Sequence, residues 1–248
     1  MRRPATLFPI ALALGAMVLA PGAGAREEGP TEIERCQTIS QPGSYRLVNN
    51  LTATGDCLLI NADFVTIDLA GFAMIGQNSG TAIRIGPTPQ SARRGIAVRN
   101  GTISDFSQGV SIGAVGGTQG AIVEGLRIFG AGTGIVARGI VRGNTVADCA
   151  GVSLGILALF ASATTGNAVT GCDNGIDAVG GIVSGNTVDT TGTGINVERG
   201  TVIGNSVTSN GVGISATCPS NLTDNLTLGN PSLVLNGTDC HNEDNVAP

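Results

Sequence analysis

The 248-residue chain contains no lysine, no tryptophan, one histidine (His241) and one tyrosine (Tyr45). Charged residues make up only 12% of the chain. It has 13 arginines and 18 acidic residues, so the formal net charge is −5. A protein that binds nucleic acid needs a basic surface for the phosphates, so this composition excludes a basic nucleic-acid-binding protein. Aromatic residues are equally scarce, at 3%. Their scarcity argues against a lectin that stacks sugar rings on flat aromatic platforms.

Long apolar runs are also few. The first covers residues 7–20, after the basic start MRRP and before the small residues Ala23 and Ala25. This pattern is typical of a secretory signal peptide, here residues 1–25, and the run is short for a membrane span. The later run, Leu154–Phe160, has only the length of a buried strand. We therefore expect a secreted or periplasmic protein with no membrane span after signal cleavage.

A repeated pattern of short apolar segments begins near Val98 and predicts the fold. Three apolar columns align, and successive segments start 25, 18, 23, 19 and 19 residues apart. The columns are Val98, Val123, Val141, Thr164, Val183 and Val202; then Ile103, Ile128, Val146, Val169, Val188 and Val207; then Val110, Ile135, Val152, Ile176, Ile195 and Ile214. Single segments are too short to bury their apolar side, whereas stacked segments bury it continuously. The β-branched residues favour strands, and the frequent glycines disfavour helical repeats, so the pattern predicts a parallel β-helix.

Two polar columns accompany the apolar ones. Asparagine follows glycine at the same position of four segments, where stacked amides can hydrogen-bond from coil to coil. These residues are Asn144, Asn167, Asn186 and Asn205. A second column holds Arg99, Glu124 and Arg142, so adjacent coils alternate in charge. We interpret both columns as structural.

The six cysteines are spaced by about one coil within each sequential pair. Cys36 and Cys57 are 21 residues apart, Cys149 and Cys172 are 23 apart, and Cys218 and Cys240 are 22 apart. Stacked residues of neighbouring coils lie ~4.8 Å apart, which is within the range that a disulfide spans. The spacing predicts three sequential disulfides. No pair has the close spacing of a zinc site, so no metal or other cofactor is expected from the cysteines.

Residues 36–76 resemble the opening of exported right-handed parallel β-helix proteins of the pectin-lyase-like superfamily. The features that match are an early Cys, Pro-Gly-Ser-Tyr-x-Leu, a second Cys before an apolar strand, and Val-Thr-Ile-Asp-Leu-x-Gly. The resemblance implies a right-handed helix and a setting of extracellular carbohydrate chemistry or cell-surface binding. It implies no particular reaction, because one fold hosts many functions. The Asp-Asp, Gly-His-Gly and Arg-Ile-Lys motifs of polygalacturonase-like relatives are absent, as is the Asp-Pro-His motif of alginate-epimerase-like members.

A divergent enzyme remains an alternative, because glycoside hydrolysis needs two carboxyl groups on one surface, roughly 5 to 10 Å apart. The candidate catalytic residues are Asp148, Asp173, Asp177 and Asp189. The alignment places Asp177 in one column with Ser153, Asn196 and Ser215. Asp173 and Asp177 are also candidate ligands of a calcium ion, since hard oxygen ligands suffice for calcium. The competing interpretation is that these residues belong to solvated turns, where Asp is common.

The predicted organisation is an all-β chain with four parts. These are a signal peptide (1–25), an N-terminal lead-in or cap (26–42), a right-handed parallel β-helix of about eight coils with three short strands per coil (43–216), and a disulfide-tied C-terminal cap or tail (217–248). The leading functional hypothesis is a non-catalytic surface or scaffold protein that binds an extracellular polysaccharide or a cell-surface component. The alternative hypothesis is a polysaccharide lyase or glycoside hydrolase.

Overall fold

The computed structural model describes residues 29–86, 93–113, 120–230 and 233–246, and the predicted signal peptide lies outside these ranges. All regular structure in these ranges is β-strand. The described residues contain no helix long and apolar enough to cross a membrane. The prediction of an all-β fold is therefore confirmed.

The described residues form 28 short strands. In the first half of the chain they are β1 (Thr31–Ile33), β2 (Gln37–Ile39), β3 (Gly43–Leu47), β4 (Leu51–Thr52), β5 (Leu58–Ile60), β6 (Val65–Asp68), β7 (Ala73–Ile75), β8 (Thr81–Ile85), β9 (Ala97–Ser104), β10 (Gln108–Ser111), β11 (Ala121–Phe129) and β12 (Thr133–Ala137). In the second half they are β13 (Gly139–Arg142), β14 (Thr145–Ala147), β15 (Leu154–Ala158), β16 (Ala163–Thr165), β17 (Ala168–Thr170), β18 (Asn174–Val179), β19 (Ile182–Ser184), β20 (Thr187–Asp189), β21 (Thr193–Glu198), β22 (Thr201–Ile203), β23 (Ser206–Thr208), β24 (Val212–Thr217), β25 (Asn221–Thr223), β26 (Leu226–Leu228), β27 (Leu233–Asn236) and β28 (His241–Glu243).

These strands stack into a parallel β-solenoid with three faces. Face 1 contains β1, β3, β6, β9, β11, β13, β16, β19, β22, β25 and β28, and face 2 contains β4, β7, β9, β11, β14, β17, β20, β23 and β26. The two faces form one 18-stranded sheet, because the long strands β9 and β11 run through both. Face 3 is a separate ten-stranded sheet of β2, β5, β8, β10, β12, β15, β18, β21, β24 and β27.

The solenoid has about ten turns, so the predicted number of eight coils is wrong. The segment 26–42 contributes β1 and β2, which pair in parallel with β3 and β5. The segment 217–248 contributes β25 to β28, and β28 pairs with β25. The last coil departs from the apolar pattern, since Asn242 occupies the inward position that Leu222 holds one coil earlier. This substitution places a polar side chain at the end of the stack, where a capping coil needs one.

The core lies inside the three faces and consists of the predicted columns, with one correction. The registers that join Val98 to Val202 on face 1 and Ile103 to Val207 on face 2 are as predicted. On face 3, Ile156 rather than Val152 pairs with Ile135 and Ile176, and Val152 is 98% exposed. The cause is a longer turn, because six residues (148–153) connect β14 to β15 whereas three (171–173) connect β17 to β18.

The asparagine column forms a buried ladder at the corner between faces 1 and 2. It includes the four predicted residues and continues through Asn225 and Asn245. The side chain of Asn186 is representative. Its Oδ1 accepts from the backbone N and the Nδ2 of Asn167, and its Nδ2 donates to the Thr164 carbonyl and to Asn205 Oδ1, all at 2.9 Å. Each amide inside the ladder is thereby satisfied by its two neighbours in the stack and by a backbone carbonyl.

The charge column on face 1 is longer than predicted. Opposite charges alternate at one outward position over six successive coils, which are occupied by Glu32, Arg46, Asp68, Arg99, Glu124 and Arg142. Within it, Arg99 pairs with Asp68 at 3.3 Å and Arg142 with Glu124 at 2.6 Å. These exposed pairs each contribute well under ~1 kcal/mol to stability, so their main effect is to favour this register over one that stacks like charges.

All three predicted disulfides are present, and each joins two adjacent coils. They connect Cys36 to Cys57, Cys149 to Cys172 and Cys218 to Cys240, with Cα–Cα distances of 4.4, 4.8 and 5.0 Å. No free cysteine occurs among the residues that the structure describes. Because disulfides persist in oxidising compartments, this set is consistent with an extracellular or periplasmic protein.

Candidate functional site

The four aspartates predicted as candidate catalytic residues lie on two different parts of the surface. Asp148 and Asp173 lie in turns at the corner between faces 2 and 3, and Asp189 ends the face 2 strand β20 beside that corner. These three belong to successive coils. Asp177 lies on β18, on face 3. The structure therefore brings three of the four to one corner and separates the fourth.

Two of these carboxylates make contacts that hold neighbouring coils together. Asp173 and Ser153 bond reciprocally, since the Ser153 backbone N donates to Asp173 Oδ2 at 2.8 Å and the Asp173 backbone N donates to Ser153 Oγ at 2.9 Å. The Thr208 hydroxyl donates to Asp189 Oδ1 at 3.0 Å. Both side chains therefore have a structural role that accounts for their presence in the turns.

The surroundings of Asp177 differ from the prediction at one position. Its register partner in the next coil is Asn196, followed by Ser215, as predicted, but its partner in the preceding coil is Leu157 rather than Ser153. The long turn 148–153 causes this error as well. In the described ranges, no group of three or more His, Cys, Asp or Glu side chains is placed to hold a metal ion, and this includes the candidate calcium ligands Asp173 and Asp177.

A shallow concave surface that includes several polar side chains lies elsewhere, at the corner between faces 3 and 1 of the last coils. We call it the C-terminal groove; its volume is about 550 Å³. Its polar lining includes Arg199, Thr201, Asn221, Asp239 and His241, with Pro219 and three corner residues beneath them. Cavities of a few hundred Å³ suit a small ligand or a short segment of a polymer.

The strand register explains why the groove presents a row of polar groups. Thr201, Asn221 and His241 occupy one outward column of face 1, in three successive coils. Adjacent members of such a column lie ~4.8 Å apart, so the row offers a hydroxyl, an amide and an imidazole at regular intervals. Among the described residues, the side chains of Thr201 and Asn221 have no hydrogen-bond partner, which leaves these groups available to a ligand.

The walls of the groove are held by local contacts. The Ser220 hydroxyl, which is buried, accepts from the Gly200 backbone N at 3.2 Å and donates to the Thr217 carbonyl at 2.7 Å, so it fixes the turn beneath the row. Arg199 forms an ion pair with Glu198. His241 Nε2 lies 3.2 Å from a carboxylate oxygen of Glu243, with both side chains more than half exposed.

The charge around the groove is predominantly negative. Asp239 lines the groove, and Glu198 and Glu243 pair with its lining residues Arg199 and His241. Three carboxylates therefore lie beside one arginine and one histidine, which is charged only when protonated. Close like charges disfavour an anionic ligand. The arrangement therefore suits a neutral, hydroxyl-rich ligand, whose hydroxyl groups can both donate to the carboxylates and accept from Asn221 or Arg199.

This groove was not predicted from the sequence. His241 is notable there only as the single histidine, and Asn221 lies in the predicted C-terminal cap or tail. The signal would have been the register of residues 217–248, because only an additional coil places Asn221 and His241 above Thr201. Comparisons of the chain with protein-family models, with curated proteins and with solved structures found no match.

Proposed function

We propose that the chain is an exported, non-catalytic β-helix protein that binds an extracellular polysaccharide or a glycan of a cell surface through its C-terminal groove. The observation that carries the proposal is the row of Thr201, Asn221 and His241, which repeats hydrogen-bonding groups along a concave surface. A polymer of sugar units also repeats its hydroxyl groups. A row with the ~4.8 Å spacing of the coils therefore offers a hydrogen-bonding group to each of several units.

The proposal includes export of the protein from the cell. The resemblance of residues 36–76 to pectin-lyase-like proteins and the signal-like residues 1–25 support a right-handed, exported β-helix. The three disulfides agree with export. The solenoid provides the rigid support for the groove, because every lining residue lies on a strand or a corner between strands.

The ligand class that we propose is a neutral polysaccharide. The three carboxylates at the groove disfavour uronic-acid polymers, whose own carboxylates would be repelled. The non-catalytic assignment is supported by the contacts of Asp173 and Asp189, which bond to Ser153 and Thr208 of adjacent coils.

The test is affinity electrophoresis of the oxidised protein without residues 1–25 in gels that contain neutral or acidic polysaccharides. We expect retardation by at least one neutral polymer, and weaker retardation of Asn221→Ala and His241→Ala. Losing one or two hydrogen bonds should weaken binding roughly tenfold. Asn196→Ala is the matched control, because Asn196 is an exposed outward asparagine of face 3 that does not line the groove.

A parallel measurement of reducing-end release separates binding from catalysis. We expect no release from any polymer that the protein retards. Release that disappears in Asp148→Asn or Asp173→Asn would overturn the non-catalytic assignment and would locate a hydrolase or lyase site at the corner between faces 2 and 3.

A further inference from the structure

One coil of face 3 has an apolar outer surface where the next coil is polar. The outward positions of β15 are occupied by Leu154 and Leu157, and the paired positions of β18 are occupied by Asn174 and Asp177. Both leucines are partly exposed. The core of this coil is filled by other residues, Ile156 among them, so the stack does not require leucine on the outside.

The exposed apolar surface continues around both ends of β15. At one end is Val152, in the long turn, which is 98% exposed; at the other end is Phe160, which is 50% exposed. We call Val152, Leu154, Leu157 and Phe160 the apolar ridge. Single exposed apolar residues are ordinary on protein surfaces, whereas four of them along one strand and its two ends point to an interaction site.

Opposite charges flank the apolar ridge in the coils before and after it. Arg138, which directly follows β12, lies over the ring of Phe160 at 5.6 Å from its centroid. Asp177 is the register partner of Leu157 on the other side. Within the described part of the chain, neither Arg138 nor Asp177 forms an ion pair. The ridge therefore has a positive group on one flank and a negative group on the other.

We propose that the apolar ridge is the interface of a homodimer with twofold symmetry. In such an interface the same patch faces itself, so a patch with opposite charges on its two flanks is complementary to its own copy. A twofold axis through the Leu157 region brings Arg138 of each subunit to Asp177 of the partner subunit, while the apolar side chains pack between them. Apolar surface at the centre and charges at the rim are the usual arrangement of an interface.

The charges of Arg138 and Asp177 favour a second copy of the chain over other molecules that could cover the apolar ridge. A lipid surface or an unrelated apolar ligand would use the ridge but would not need both Arg138 and Asp177. A second copy needs both, and it needs them in a reciprocal arrangement. This requirement makes the proposal testable by exchanging the two charges.

The experiment is sedimentation velocity of the oxidised protein without residues 1–25, from micromolar to about 0.1 mM. We expect a concentration-dependent dimer. Leu157→Asn introduces the residue that Asn196 provides two coils later in the same column, so the coil tolerates it, and we expect the dimer dissociation constant to rise at least about tenfold. Ser215→Asn, a change three coils after Leu157 in the same column and two coils beyond Asp177, should leave the dimer unchanged.

The charge exchange gives the decisive result. Arg138→Asp and Asp177→Arg should each weaken the dimer, because each places like charges across the interface, and the double variant should restore it. Circular dichroism of every variant verifies the fold. A protein that is monomeric at all concentrations would refute the proposal. So would a dimer that persists in Leu157→Asn, a double variant without recovery, or a monomer that binds neutral phospholipid vesicles through the ridge.

Discussion

The buried asparagine ladder allows a stability prediction that can be worked out bond by bond. In Asn186→Ala four side-chain hydrogen bonds are lost, two to Asn167, one to the Thr164 carbonyl and one to Asn205. The Asn167 backbone N–H loses its acceptor in the buried corner, and the amides of Asn167 and Asn205 each lose one partner. A buried polar group without a partner costs about 1–3 kcal/mol, so we expect the variant to lose about 2–4 kcal/mol of unfolding free energy.

The assay is urea unfolding of the oxidised protein, followed by circular dichroism, with Asn196→Ala as the control. Asn196 is also an asparagine of a solenoid strand, but it is exposed and makes no side-chain bond to the described residues, so its loss should change stability by less than about 0.5 kcal/mol. Hydrogen exchange adds a local readout, because the Asn167 amide should lose protection first. Equal stabilities of the two variants, or unchanged exchange at Asn167, would refute the ladder as a source of stability.

A second substitution at the same position tests the donor half of the ladder. Asn186→Asp keeps one acceptor oxygen, but its other oxygen faces the Thr164 carbonyl and Asn205 Oδ1, which are both acceptors. Burial beside acceptors raises the pKa of the introduced carboxyl in the folded state, so its protonated form is favoured there. Stability should therefore be lost as pH rises through that pKa, and should recover on acidification, unlike the stability of Asn186→Ala.

Two further substitutions test single features of the core and of the corners. Thr164 is fully buried in the first apolar column, and its hydroxyl has no hydrogen-bond partner among the described residues. Thr164→Val should therefore raise the unfolding free energy by about 1–2 kcal/mol in the same urea assay. A lower unfolding free energy would show that the hydroxyl does have a partner. Gly185 turns the corner with a φ of 62° and has open space around its missing Cβ, so Gly185→Ala should cost about 1–2 kcal/mol through backbone strain alone. Gly185→Asn should cost roughly half as much, because asparagine tolerates this conformation, as Asn100 does at φ 61°; equal costs for alanine and asparagine would point to side-chain crowding instead.

The fold was predictable because the spacing within a coil is nearly constant. The register of faces 1 and 2 follows directly from twelve buried residues at matching positions, from Val98 to Val207. The predicted register of face 3 is wrong at one coil. There a turn of six residues replaces the usual turn of three, so Val152 was aligned at the position that Ile156 occupies. A valine in a long turn and a valine in a strand look alike when only one sequence is considered.

The two additional turns and the C-terminal groove were not predictable for a related reason. The terminal coils hold few apolar residues at inward positions, and Asn242 interrupts the column that identifies a coil. Because the last coil was not predicted, the sequence did not indicate that Asn221 and His241 stack above Thr201. Three of the four candidate carboxylates lie at one corner, but their contacts were not predictable, since hydrogen bonds such as that of Asp173 with Ser153 depend on the exact path of the turn.

The positions of the disulfides have a consequence for how the molecule comes apart. In a stack where each coil contacts only its neighbours, unfolding begins at an exposed end and proceeds one coil at a time. Cys36–Cys57 joins the first two coils, Cys218–Cys240 joins the last ones, and Cys149–Cys172 joins two in the middle. The two ends, where fraying is easiest, are therefore the places that are covalently clamped. Reduction should convert a molecule that opens only as large units into one that frays from both ends, and proteases would then digest it progressively inward.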